Sequence, residues 1–237
     1  MRYLFRKLRE HGKLRKIVLE RLTEPVHLNA AWAIALFCSY KTRVAFDLVL
    51  RPQYAYGILR AAEFAIEFGI PKIACIEFGV AAGAGLMNMA YLARATERAT
   101  GVAIHVHGFD SGQGMPEPVD HRDHPELYAP GDYPMDVAAL RASLPANATL
   151  NLGPLSQTIP RFLTELDCPI GFVALDVDYY SSSLDALRIF EDAPTRYLPA
   201  TLMYADDINL WPHHAWGGEL LAINEFNAAH DNRKIAP

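Results

Sequence analysis

Short apolar runs alternate with longer amphipathic segments along most of the chain. The apolar runs predict β-strands, and the segments with apolar positions three or four residues apart predict helices between them. The helix before the first strand ends at Gly69 with Pro71 just beyond it, which is a usual helix stop. The pattern predicts strands over residues 72–78, 104–109, 149–152, 170–176 and 201–205, and helices over residues 2–22, 30–49, 53–68, 86–100, 136–143, 159–166, 182–190 and 216–230.

This alternation predicts an α/β fold, with a Rossmann-like parallel sheet that has helices on both faces. Such sheets bind ligands beyond the carboxyl ends of their strands. We expect residues 1–50 to form a helical N-terminal appendage and residues 51–237 to form the main domain. Residues 112–135 are rich in Pro, Gly, Asp and His and lack periodicity, so we interpret them as a surface loop or lid near the functional site.

Length and charge narrow the class of protein. At 237 residues and 51% hydrophobic, the chain is long enough for one sizeable domain with a full core. Residues 1–16 hold seven basic residues against Glu10, so this arm carries +6 and the remainder −11. An acidic body disfavours nucleic acid as a partner. The basic arm could rest on an anionic membrane surface or act as a targeting peptide, but a helix that packs on the body or on a second subunit is the simpler interpretation.

Membrane insertion and disulfide bonding are both disfavoured. The apolar stretch over residues 30–38 is about half the length needed to span a bilayer, so we expect no stable membrane insertion and a cytoplasmic protein. Cys38, Cys75 and Cys168 are odd in number, widely spaced and set in apolar surroundings. They are therefore expected to be reduced core cysteines without a zinc or disulfide pattern.

A glycine-rich segment, residues 77–85 (EFGVAAGAG), follows the first predicted strand. A buried strand that breaks into glycine and then opens a helix lets a nucleotide-like ligand approach bare backbone, while Glu77 can hold the ligand's charged or hydroxylated end. Asn88 stands where the dinucleotide fingerprint needs a small residue, which disfavours a nicotinamide-dependent oxidoreductase. The Glu-x-Gly-x-x-x-Gly-x-Gly spacing instead resembles the first motif of class I S-adenosylmethionine-dependent methyltransferases. A purely structural glycine-rich turn is the alternative.

Acidic residues follow the predicted strands at their carboxyl ends. Asp110 ends the second strand, where a carboxylate can accept hydrogen bonds from both hydroxyls of a ribose, although Asp-Ser-Gly is also turn chemistry.

Asp176 and Asp178 end the fourth strand, and Asp206 and Asp207 end the fifth. If these strands are neighbours, several carboxylates meet in one small volume and repel one another, which a hard divalent cation would relieve. Oxygen ligands without nearby His or Cys favour Mg²⁺. Alternatively, these acids cap the following helices and face water, above all Asp178 and Asp185.

Three further segments resemble the macrocin O-methyltransferase family. Residues 175–187 (LDVDYYSSSLDAL) are similar to its Asp-x-Asp-x-Tyr-x-Ser-Thr-x-x-Ala-Leu signature. Residues 108–116 (GFDSGQGMP) are similar to its Asp-Ser-Phe-x-Gly-Leu-Pro segment, with Gly112 where an aromatic residue is usual. The Asp206-Asp207 pair, with the later Gly-Gly and Asn-Glu-Phe sequences, is similar to its Asp-Asp-Tyr, Gly, Glu-Phe ending, with Ile208 in place of the tyrosine. Together with the glycine-rich segment, these motifs cover about residues 70–230 in the family's order.

The resemblance implies an S-adenosylmethionine-dependent and divalent-metal-dependent O-methyltransferase that acts on a hydroxyl of a small molecule, such as a sugar-containing natural product. It assigns cofactor binding to Glu77, Phe78, Gly79, Gly83, Asp110, Ser111, Leu155, Ser156 and Asp176. It assigns Mg²⁺, or another divalent cation, to Asp176, Asp206 and Asp207. His213 and His214 follow the acid pair and are candidate general bases, which with Asp176 form the expected catalytic set.

One departure from this class concerns the end of the chain. The class I sheet normally ends with two more strands in an antiparallel hairpin, whereas the sequence stops at Pro237. We therefore expect a sheet without that hairpin, with an edge that the N-terminal helices or a second subunit covers, and hence a homo-oligomer. Two other hypotheses remain: a noncatalytic S-adenosylmethionine-binding or interaction protein, and a metal-dependent hydroxylase or hydrolase on the same scaffold.

Overall fold

The computed structural model describes residues 26–208, 211 and 213–236. The chain divides into two compact units, with the boundary between Pro52 and Gln53. The helix expected over residues 2–22 lies outside the described residues, and the functional division into an appendage and a cofactor-binding domain stays a prediction. No helix in the described ranges is long and apolar enough to cross a membrane.

Among the described residues of the first unit, from residue 26 onward, two short helices replace the single helix predicted over residues 30–49. They are α1, Val26–Phe37, and α2, Tyr40–Ala45. The chain breaks between them because Ser39 caps α2, its hydroxyl accepting a hydrogen bond from the backbone N–H of Thr42. Cys38, at this break, is exposed, so the expectation of a core cysteine is wrong there; Cys75 is buried as expected and Cys168 is half-buried.

The second unit alternates helices and strands. Its elements are α3 (Pro52–Glu67), β1 (Lys72–Phe78), α4 (Ala84–Thr100), β2 (Ala103–Asp110), α5 (Val137–Ser143), β3 (Ala148–Leu152), α6 (Leu155–Glu165), β4 (Ile170–Leu175), α7 (Tyr180–Leu187), β5 (Tyr197–Ala205) and α8 (Gly218–Ala229). Short 3₁₀ helices lie at His121–Asp123, Arg188–Phe190 and Pro194–Arg196.

The five strands form one parallel sheet in the order β3-β2-β1-β4-β5, which confirms the predicted Rossmann-like α/β fold. Within the described part of the chain, the sheet includes no antiparallel pair. The register aligns the carboxyl ends of the central strands, since Phe78 on β1 lies opposite Phe109 on β2 and Leu175 on β4, and Leu175 lies opposite Ala205 on β5. Residues that directly follow these positions therefore meet at one edge of the sheet.

The core forms around the central strands. Every residue of β4 is buried, as are all residues of β1 after Lys72, because helices cover both faces of the sheet. This explains why the central strands are continuous apolar runs in the sequence. Each fully buried large side chain contributes roughly 1.5–3 kcal/mol relative to an exposed one. The edge strand β5 is mostly half-exposed, which matches its weaker sequence signal.

Candidate active site

The loop between β1 and α4 contains glycines that its backbone geometry requires. Gly79 has a φ of +85°, and an added Cβ would lie 1.6 Å from the carbonyl oxygen of Asp176. Gly83 precedes α4 with a φ of +89°, and an added Cβ would lie 2.3 Å from a methyl carbon of Leu140. The glycine loop therefore packs directly against the backbone of the loop after β4, which no residue with a side chain could do.

Two residues of the glycine motif support the loop from the protein interior. The Glu77 carboxylate is 1% exposed and accepts a hydrogen bond of 2.9 Å from the hydroxyl of Tyr54. An added Cβ at Gly85 would lie 2.0 Å from its Oε1, so the carboxylate lies against the first turn of α4. The ring of Phe78 is fully buried, with its centroid 5.1 Å from that of Phe109. Any contact of Phe78 with a ligand would therefore come from its backbone.

Asp110 holds the glycine loop through its carboxylate. Oδ2 accepts hydrogen bonds of 2.9 Å from the backbone N–H groups of Val80 and Ala81, and Oδ1 accepts one of 2.7 Å from the N–H of Gly112. The turn interpretation of Asp-Ser-Gly is thus correct for Oδ1, and since Oδ2 already accepts two bonds, one acceptor site remains for a ribose, on Oδ1. The hydroxyl of the neighbouring Ser111 accepts from the N–H of Gln113 and donates to the carbonyl of Gly114.

Leu155 and Ser156 begin α6 at the same edge of the sheet. The two residues before them, Gly153 and Pro154, are anchored to β2, because the N–H of Gly153 donates to the carbonyl of Asp110. Leu155 is half-buried and Ser156 is exposed. Both line a groove of about 650 Å³ between α6 and α7, whose lining includes none of the acids expected to hold a metal.

Three carboxylates converge beyond the ends of β4 and β5. One oxygen atom from each of Asp176, Asp206 and Asp207 lies within 4.8 Å of the others. The backbone fixes this arrangement, since the N–H of Asp176 donates to the carbonyl of Phe78 and the N–H of Asp206 donates to that of Leu175, each at 3.0 Å. We call these three residues the acidic centre; it consists of oxygen donors only, the set that Mg²⁺ and other hard divalent cations prefer.

The metal-free acidic centre is electrostatically unfavourable. Burial, the hydrogen bond and charge of Asp178, and then the charges of Asp206 and Asp176 raise the pKa of Asp207 to about 8. Asp206 accepts a short hydrogen bond from the hydroxyl of Tyr204, and burial followed by this contact raises the pKa of Tyr204 to about 12. A bound divalent cation would remove this repulsion, so the residues present fit such an ion.

Asp178 lies beside the acidic centre and does not cap a helix. The residue before α7 is Tyr179, which makes no capping bond through its side chain. Asp178 has a φ of +60°, and after burial its carboxylate is the largest cause of the raised pKa values of Asp207 and Tyr128. The capping interpretation of Asp178 is therefore wrong, and the residue lies beside the acidic centre.

The two candidate bases occupy different places. Nε2 of His213 is 3.6 Å from Oδ1 of Asp207 and 3.4 Å from the hydroxyl of Tyr128, and its side chain is 7% exposed. Burial and then the charge of His124 lower the pKa of His213, which favours a neutral imidazole. His214 is exposed, and its Nδ1 accepts a hydrogen bond of 3.2 Å from the N–H of Trp216. The structure therefore brings His213, rather than His214, to the acidic centre.

The long loop over residues 112–135 is partly buried against α7. Oδ1 of Asp123 accepts a hydrogen bond of 2.8 Å from the N–H of Ser181, and Oδ2 accepts bonds from the Ser181 hydroxyl at 2.9 Å and from the N–H of Val119 at 2.8 Å. His124 is 2% exposed, and its ring makes edge contacts with His213 and His214. The sequence predicted neither the bonds of Asp123 to α7 nor the ring contacts of His124, because an Asp or His in an aperiodic loop gives no indication of its partners.

Glu219 is a further residue at the site that the sequence did not indicate. It is fully buried in the first turn of α8, and its carboxylate accepts hydrogen bonds from the N–H groups of Val177 and Asp207. Burial raises the pKa of Glu219 well above its ordinary value, and these two backbone bonds oppose that rise. The only hint in the sequence was the pair of glycines directly before it.

Comparisons with known proteins support the fold. No protein-family model and no curated protein matches the chain. A crystal structure of CalS11, a calicheamicin methyltransferase, is similar with a TM-score of 0.52 and 21% sequence identity, over 73% of this chain and 70% of that chain. An apo structure of CalS11, described as a TDP-rhamnose 3'-O-methyltransferase in calicheamicin biosynthesis, is 19% identical over 84% of this chain and 83% of that one, with a TM-score of 0.46. The protein thus has the Rossmann-like fold of the methyltransferase structure that it matches with the higher score.

Proposed function

We propose that this protein is an S-adenosylmethionine-dependent and divalent-cation-dependent O-methyltransferase. Its acceptor is a hydroxyl of a small molecule such as a sugar-containing natural product. The observation that carries the proposal is the convergence of Asp176, Asp206 and Asp207 within 4.8 Å, directly beside the loop of Gly79. The similarity to the structure of a calicheamicin methyltransferase supports the same activity.

The glycine loop and its neighbours fit the cofactor. S-adenosylmethionine supplies a methyl group on a sulfonium, which is already a reactive donor. Gly79 and Gly83 hold the loop against Asp176 and Leu140, and the remaining lone pair on Oδ1 of Asp110 would accept from a ribose hydroxyl. Leu155 and Ser156, at the end of β3, would lie beside the adenine. Because the donor is reactive, the task of these residues is alignment.

The acidic centre fits the cation. Asp176, Asp206 and Asp207 would hold it, and a bound divalent cation lowers the pKa of an acceptor hydroxyl and orients it. Asp176 adjoins both ligands: its carboxylate belongs to the acidic centre and its carbonyl lies against the glycine loop. This shared residue would bring an acceptor oxygen on the cation close to the methyl donor.

His213 is the residue best placed to take the acceptor's proton. Its Nε2 faces Asp207 and Tyr128, and its lowered pKa leaves this nitrogen able to accept a proton near neutral pH. Once protonated, the ring is stabilised by the neighbouring carboxylates of Asp207 and Asp178.

Calorimetric titration with S-adenosylmethionine, in the presence and absence of Mg²⁺, tests the proposal, followed by a methyl-transfer screen over sugars and catechols. We expect cofactor binding and Mg²⁺-dependent transfer in the wild type. Asp206→Asn should lose the Mg²⁺ dependence, whereas Asp231→Asn, an exposed acid after α8, should behave as wild type. Absence of cofactor binding would refute the proposal. Binding that neither Mg²⁺ nor Asp206→Asn alters, with no transfer, would favour the noncatalytic alternative.

His213 and His214 provide a matched pair for the base. We expect His213→Gln to reduce the rate of transfer about 100-fold or more while cofactor affinity is kept, since general bases contribute roughly this much. His214→Gln should retain most of the activity. Equal losses in both variants would remove His213 from this role.

A further inference from the structure

One buried carboxylate spans the two loops that carry the acidic centre. Oε1 of Glu219 accepts a hydrogen bond of 3.1 Å from the N–H of Val177, the residue after Asp176. Oε2 accepts a bond of 3.2 Å from the N–H of Asp207 itself. The side chain therefore bonds to the backbone after β4 and after β5 at the same time, over separations of 42 and 12 residues.

The residues before Glu219 allow this placement. Gly218 has a φ of +56°, and an added Cβ would lie 3.3 Å from the carbonyl oxygen of Asp178. An added Cβ at Gly217 would lie 2.8 Å from ring atoms of His124. The first turn of α8 therefore lies close to the loop after β4 at Gly218 and to the long loop at Gly217, and neither position has a side chain that would keep them apart.

We propose that Glu219 is a positioning residue for the acidic centre, one that sets the spacing of Asp176 and Asp207 and thereby the affinity for the divalent cation. This inference rests on the proposed function. The two loops belong to different strands, and the described contacts between them include no other side chain that bonds to both backbones. Carboxylates that must meet one cation need their relative positions fixed before it binds, and groups that orient metal ligands typically change the affinity 10–100-fold when altered.

A carboxylate is required at position 219 because each of its two oxygens accepts a hydrogen bond from a different loop. Glutamine keeps one oxygen but directs an NH₂ group at the second N–H, so one of the two loops loses its anchor. Glu225 on the same helix is a matched control, since its Oε2 accepts a hydrogen bond of 2.6 Å from the hydroxyl of Tyr180 and lies outside the acidic centre.

The affinity of the full chain for Mn²⁺, measured by electron paramagnetic resonance without cofactor or acceptor, tests the inference independently of turnover. We expect Glu219→Gln to raise the Kd for Mn²⁺ at least about tenfold, while the Kd for S-adenosylmethionine measured without metal changes less than about twofold. Glu225→Gln should leave both constants near the wild-type values. Glu219→Asp, which keeps two acceptors on a shorter side chain, should weaken Mn²⁺ as well.

The outcomes separate the inference from the function on which it rests. Wild-type Mn²⁺ affinity in Glu219→Gln, or in Glu219→Asp if the glutamine variant does not fold, overturns the positioning role. An equal loss of cofactor and Mn²⁺ affinity shows a general structural role and overturns it too. A wild-type protein that binds no Mn²⁺ refutes the metal dependence itself, and the inference falls with it.

Discussion

Replacing Asp207 by Asn is expected to stabilise the metal-free protein while it removes the cation site. Asp207 is 6% exposed and lies among the carboxylates of Asp176, Asp178 and Asp206. Its pKa rises from 3.8 to about 8, first because of burial and then because of these neighbours. Ionised Asp207 is therefore a source of instability in the folded protein, and asparagine has nearly the same shape without the charge.

The size of this stabilisation and its pH dependence follow from proton linkage. The carboxyl ionises near pH 4 in the unfolded chain but near pH 8 in the folded protein, so the wild type loses stability as the pH rises between these values. A change of this size corresponds to at most about 6 kcal/mol at high pH. Local relaxation reduces it, and we expect Asp207→Asn to gain ~2 kcal/mol over the wild type between about pH 5 and about pH 8.

A divalent cation should reverse the order of stability. An ion that binds only the folded wild type adds about 2.7 kcal/mol at a concentration 100 times its Kd, and the variant should gain little. Urea unfolding followed by tryptophan fluorescence, in chelator and then in excess Mg²⁺, measures both effects. Asp231→Asn is the control, because it removes one exposed charge that is not part of the acidic centre.

The reasoning is refuted if Asp207→Asn is no more stable than the wild type at about pH 8 in chelator, or if the difference between them does not grow with pH. It is also refuted if Mg²⁺ stabilises both proteins equally, since the cation would then bind elsewhere.

Three other perturbations probe the glycine loop, the sheet and the long loop. Gly79→Ala should destabilise the protein by ~2 kcal/mol or more in urea unfolding, because its Cβ would meet the carbonyl of Asp176, whereas Gly69→Ala, with φ of +66° and open space around it, should cost only ~1 kcal/mol. Burial lowers the pKa of His107 to about 3, so the wild type loses stability as the pH falls below about 6.5. In urea unfolding at about pH 5, His107→Phe should therefore be more stable than the wild type by ~1–2 kcal/mol. Asp123→Asn should weaken the docking of the long loop, and limited proteolysis with mass spectrometry should show faster cleavage there than in the wild type.

Local sequence patterns were sufficient to predict the sheet and the place of the acidic centre. Central parallel strands are buried on both faces, so their sequences are short apolar runs that end where polar residues begin. Because all five strands are parallel and β4 neighbours β5, the acids after them had to meet. The edge strand was less predictable: β5 begins at Tyr197, four residues before its predicted start, in a half-exposed stretch that contains a proline.

What the sequence could not predict are the contacts between distant segments. The bond from Asp123 to Ser181 spans 58 residues, and the bond from Val177 to Glu219 spans 42. No periodicity records such pairs, since each depends on how a loop or helix end settles on the finished sheet. Local chemistry also hides double roles: Asp110 fits both a turn and a ligand-binding acid, and its carboxylate does bond to the local backbone.

The glycine loop and the acidic centre are held together by the sheet itself. The N–H of Asp176 donates to the carbonyl of Phe78, and the next residue, Gly79, lies against the carbonyl of Asp176. The distance between the glycine loop and the first acid is therefore set by backbone contacts between adjacent strands rather than by mobile side chains. A methyl transfer from a reactive sulfonium is limited mainly by alignment of donor and acceptor. Rigid coupling of these two loops is the arrangement that such a reaction requires, and it explains why glycine is needed at a position whose side chain would otherwise separate them.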